Sequence, residues 1–109
     1  IMFCSFEGPP LILRLYGTAK IYHEGDQEWT EHIDSFSVQA GARQLIEVNV
    51  DVVQTSCGFG VPLMEYKEER NQLVLWAEKK GKEGIESYQK EKNIKSIDGF
   101  PTDVIPDTT

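Results

Sequence analysis

Chemistry in this chain would have to come from three groups of side chains. The first is Cys57 beside Ser56, on a turn punctuated by Gly58 and Gly60 and closed by Pro62. A thiol attacks as its thiolate, which needs a base or a positive surrounding. The two histidines stand in another segment, so Cys57 reads as a packed or half-buried structural cysteine. The second group is His23, Glu24, Asp26, Glu28, Glu31 and His32. These residue types ligate metals, but on a helix opening near Asp26 they spread around the surface, and no H-E-x-x-H pair occurs. A capped, solvated helix is the reading, and no metal is assigned. The third is the arginines: Arg14 and Arg43 can make forked contacts to phosphate, and Arg70 falls on an exposed helix. Each reads first as a surface residue. Gly58-Phe59-Gly60 lacks the spacing of a dinucleotide fingerprint and reads as a turn.

The elements that position these groups follow from periodicity. Residues 1–6 form an apolar strand, and Glu7-Gly8-Pro9-Pro10 reverses the chain, because two prolines cannot continue a ladder. Residues 11–22 suit a long strand bent at Gly17. Asp26 caps a helix whose Trp29, Ile33 and Phe36 form one apolar stripe. Residues 37–43 make a loop. From Gln44 the period becomes two: Ile46, Val48, Val50 and Val52 face a packed side, Glu47, Asn49 and Asp51 the other. After the 54–62 turn, residues 63–66 form a short return strand. Leu73, Trp76 and Ala77 mark a helix that stops at Gly81. A second helix over 82–92 carries a thin stripe of Ile85 and Tyr88 and lies on the surface. Residues 93–101 end the ordered chain, and 102–109 form a tail.

The chain has 109 residues, one domain or part of one, and 11 Lys+Arg against 18 Asp+Glu give a formal charge of −7. That balance repels phosphodiester backbones, so nucleic acid is excluded as a partner. No apolar run approaches the ~20 residues that span a bilayer, which excludes a membrane role. Cys4 and Cys57 are far apart and in no C-x-x-C spacing, so both are expected as reduced thiols in a cytoplasmic protein. The opening Ile1-Met2-Phe3-Cys4-Ser5-Phe6 reads as the inside of a buried strand, and upstream sequence is expected.

Four runs together resemble a known family: residues 1–10, Leu13-Arg14-Leu15-Tyr16-Gly17, Gln54-Thr55-Ser56-Cys57-Gly58-Phe59-Gly60-Val61-Pro62, and Lys92-Asn93-Ile94-Lys95-Ser96-Ile97-Asp98-Gly99-Phe100-Pro101. They are similar to the C-terminal part of the small bacterial pyridoxamine 5'-phosphate oxidase-like proteins. The resemblance implies an α+β fold: an antiparallel split β-barrel of the FMN-binding type, six-stranded in the family, incomplete here at the N-terminus and followed by C-terminal helices. Residues 1–101 would be the C-terminal portion of a single such domain. It also implies FMN in a groove of a homodimer and hydride or electron transfer on a small-molecule substrate.

Under that resemblance, Gln54, Thr55 and Ser56 leave a strand end where polar groups could meet the flavin ring or ribityl chain. Asn93, Ser96 and Asp98 offer an amide, a hydroxyl and a carboxylate. Ser96 and Asp98 could equally fix a turn through local hydrogen bonds. The oxidase's substrate-binding Arg and His pattern is missing near the end, which argues against pyridoxamine-phosphate oxidation itself. The alternatives are a split-barrel module that binds flavin or another flat ligand without turnover, and a purely structural α+β domain.

Overall fold

The computed structural model describes residues 1–37 and 40–105. Its elements run β1 (Met2–Cys4), β2 (Ile12–His23), α1 (Gln27–His32) continued by a 3-10 turn (Ile33–Ser35), β3 (Gln44–Ser56) and α2 (Gln72–Lys92). The strands form one sheet in the order β1-β2-β3. The fold is thus α+β, and among the described residues the strands make a three-stranded antiparallel sheet, three of the six expected from the resemblance. Val38 and Gln39, within the expected loop, and residues 106–109 of the expected tail lie outside the described residues. The chain divides into two units: Ile1–Lys20 with Ile46–Glu69, and Ile21–Leu45 with Arg70–Thr109.

The first unit is built on strand pairing. β1 and β2 run antiparallel with Met2 opposite Arg14 and Cys4 opposite Ile12, and the Ser5 N–H donates to the Leu11 carbonyl at 2.9 Å. The proline-rich reversal between them therefore forms as its residues dictate. β2 runs on through Gly17, whose role is close approach: a Cβ there would lie 1.9 Å from the Asn49 carbonyl oxygen. Gly58 is also required, since its φ is +66° and a Cβ would lie 2.7 Å from the Leu11 nitrogen. The return strand expected over 63–66 does not form. There the Met64 N–H donates to the Phe6 carbonyl and the Tyr66 N–H to Glu7 Oε1, each at 2.8 Å, so the segment is tied to the β1–β2 turn by single bonds without a ladder.

The packed face expected on β3 is open. Ile46 is 63% and Val52 55% exposed. Among the described residues this unit consists of strands and turns, so no layer within it covers the apolar row. Alternation correctly separates the two faces of a strand but does not say what covers them.

The second unit holds the buried hydrophobic side chains: among the described residues these are Trp29, Ala77 and Ile85. Asp26 stands at the N-cap of α1, yet its carboxylate accepts from the His23 N–H at 2.6 Å and makes no bond to a helix N–H. The short helix tightens into the 3-10 turn at Ile33, which carries Phe36 past the end of the expected stripe and leaves it exposed. α2 is interrupted where expected, with Gly81 at φ 67°, ψ 175° between two helical segments. Beyond the break Ile85 is buried, so the second segment contributes to the core as well as to the surface.

Candidate functional site

The polar end of the β2–β3 pair is the most organised group of functional side chains in the first unit. Arg14 and Tyr16 lie two apart on β2, and Gln54 and Ser56 two apart on β3, so each pair projects to one side of its strand. The two pairs meet. Arg14 Nη1 donates to Ser56 Oγ at 2.8 Å, and the Tyr16 hydroxyl donates to Gln54 Oε1 at 3.4 Å. Arg14 and Ser56 are half-buried, while Tyr16, Gln54 and Thr55 are exposed. By alternation Thr55 projects to the opposite side of the strand from Gln54 and Ser56.

This arrangement fixes one cation in a chain of charge −7. A guanidinium has five N–H donors in a planar fork, and Ser56 accepts one, leaving the others for an anionic or polyhydroxylated ligand. The Gln54 amide and the Tyr16 hydroxyl extend the same patch. The sequence offers Arg14 for phosphate contact but reads it first as a surface residue, and it does not single out Tyr16. The available signal was their i, i+2 spacing on one strand, which means little until the register brings the end of β3 beside them.

Cys57 is exposed and free, so the packed role expected for it is corrected. The residue buried in this turn is Gly58, whose carbonyl accepts from the Val61 N–H at 2.9 Å. Burial goes to the glycine because only hydrogen fits against the Leu11 backbone, and the neighbouring thiol is turned outward. Further along, Tyr66 donates to Glu69 Oε1 at 2.8 Å. That bond, together with the carboxylate's charge, raises the phenol above its ordinary value near 10.

The other three predicted site residues belong to the second unit. Asn93 terminates α2: its N–H donates to the Gln89 carbonyl at 2.8 Å, and its own carbonyl accepts from the Thr102 hydroxyl. Ser96 organises a tight turn. Its hydroxyl accepts from the Phe100 N–H at 3.0 Å, and its N–H donates to the Phe100 carbonyl at 2.8 Å. Asp98 sits in that turn and is exposed. The structure thus groups Gln54 and Ser56 in one patch with Arg14 and Tyr16, and Asn93, Ser96 and Asp98 in one C-terminal segment. Among the described residues no group of three or more His, Cys, Asp or Glu is placed to hold a metal ion. None of the described helices is long and apolar enough to cross a membrane.

A small α+β protein with a polar, arginine-anchored strand end is the class that fold and patch define. The chain is 33% identical, over an alignment of 116 positions, to the Aspergillus flavus protein named "Pyridoxamine 5'-phosphate oxidase family protein ustO", with 93% of this chain aligned. It belongs to the pyridoxamine 5'-phosphate oxidase family. The chain spans about half the length of that relative, 47%. No family model matches it, and no solved structure matches it.

Proposed function

We propose that this protein is an FMN-binding, pyridoxamine 5'-phosphate oxidase-like flavoprotein, acting by hydride or electron transfer on a small molecule as a cytoplasmic homodimer. The chain is read as the C-terminal portion, residues 1–101, of a split-barrel domain. The observation that carries this reading, beside family membership, is the Arg14–Ser56 bond at the polar end of the sheet.

The donor set fits the cofactor. FMN carries a phosphate and a hydroxylated chain, and the strand end presents free guanidinium N–H groups, a hydroxyl and an amide on one face. Ser56 holds Arg14 in place, so less rotamer freedom is lost when an anion binds. Gln54 is the further contact proposed from this patch, while Thr55 projects to the other side of β3 and stands apart from it. Bound flavin would supply the redox chemistry, while the protein supplies orientation and electrostatics.

A visible absorption spectrum of the complete protein tests the reading. An oxidised flavin band is expected in the purified protein, and the affinity for FMN should fall about tenfold in Arg14→Gln, the loss of roughly one charge-assisted contact. Protein that purifies colourless and gains no bound flavin on titration with FMN overturns it. Anaerobic reduction of the bound flavin by a nicotinamide cofactor is expected of the oxidoreductase, and its absence would leave a binding module without turnover.

A further inference from the structure

In the second unit a groove of about 500 Å³ is lined by Gly41, Arg43, Leu73, Trp76, Ile85, Tyr88, Gln89 and Asn93. Its volume is in the range of small-molecule sites. Its walls are apolar and aromatic: Trp76 and Tyr88 meet edge to face, with ring centroids 5.0 Å apart and planes at 78°. The Lys80 ammonium lies over both rings, 5.3 Å from the Trp76 centroid and 5.6 Å from that of Tyr88. The polar lining is one guanidinium, two amides and a phenol.

The charge of the groove runs against that of the chain. With 18 Asp+Glu to 11 Lys+Arg overall, the lining contains Arg43 and no carboxylate. Arg43 makes no hydrogen bond or ion pair with another described residue. The neighbouring Glu91 is paired with Lys92 at 2.7 Å. An anion entering the groove therefore meets a cation with its fork open, beside the side-chain amides of Gln89 and Asn93.

We propose that this groove binds a small monocarboxylate with an apolar or aromatic body, its carboxylate held by Arg43 and its body laid against Trp76, Tyr88 and Leu73. A single planar fork matches a planar carboxylate bidentately. Lys80 is already held over the rings, so the groove offers one uncommitted cation, which suits a monoanion better than a phosphate dianion. The proposal does not rest on the flavin reading.

The test uses the complete protein without added flavin, titrated with 4-phenylbutyrate, its neutral amide and 4-phenylbutyl phosphate. Indole N–H resonances are followed by NMR, with that of Trp76 assigned through Trp76→Phe. The Trp76 resonance should shift saturably with the carboxylate while that of buried Trp29 stays in place. Affinity for the carboxylate should exceed that for the amide by about tenfold, and Arg43→Gln should remove that preference without shifting the Trp29 resonance. Equal affinity for carboxylate and amide, tighter binding of the phosphate, or an unchanged preference in Arg43→Gln would overturn the proposal. So would a Trp76 resonance that never moves.

Discussion

The two units bury their apolar residues to very different extents. In the helical unit Trp29, Ala77 and Ile85 are buried, with Ala77 1% exposed. In the strand unit the large apolar residues of β3 are open, and the tightest packing is backbone on backbone at Gly17 and Gly58. One unit is held by side-chain burial, the other by hydrogen-bonded strands brought close through absent side chains. A substitution that adds atoms should therefore hurt the strand unit most, and one that removes atoms should hurt the helical unit most.

The largest effect is expected at Gly17. Gly17→Ala places a Cβ within 1.9 Å of backbone that cannot rotate away, so β2 and β3 must separate. The cost should be about 3 kcal/mol or more, read as a shift in the urea midpoint. A loss below about 1 kcal/mol would show that the strands give way freely, and the comparison would break there.

Next come matched deletions in the two units. Ile85→Ala should cost about 2–4 kcal/mol, since it empties a buried position. Val52→Ala in this chain should cost less than about 0.5 kcal/mol, because the side chain is 55% exposed. If Val52 proved as costly as Ile85, the β3 face would be covered in solution and the contrast between the units would disappear.

The smallest effect is electrostatic. The Tyr66 phenol donates to Glu69 and titrates above its ordinary value. Because the folded value is raised, the contribution is fully present below the unfolded phenol value near 10 and is lost as pH rises through the folded one. An ultraviolet titration compared with that of Tyr66→Phe should show the Tyr66 phenol ionising above its ordinary value near 10, and Glu69→Gln should lower it. No change in that variant would remove Glu69 as the cause.

Much of the local structure was legible because local residues determine it. Gly8 with two prolines gave the β1–β2 reversal, period two gave β3, and Gly81 gave the break in α2. Most of the misses depend on long-range placement. Little local separates residues 63–66 from a strand: three of the four are apolar or aromatic, and only the lack of a partner ladder decides. Phe36 kept helical spacing on paper, but the tightening at Ile33 removed it from the stripe. The candidate site was half legible: Gln54, Thr55 and Ser56 stood out as a polar strand end, whereas Arg14 and Tyr16 gain their place only from pairing 42 and 38 residues away, respectively.

Gly81 has a consequence for the shape of the groove. Its left-handed φ sets the angle between the helical segment bearing Trp76 and Ala77 and the one bearing Ile85 and Tyr88. The walls of the Arg43 groove thus stand on both sides of that bend. A β-branched residue there would carry a penalty for the same backbone angle, so the groove's width depends on one missing side chain.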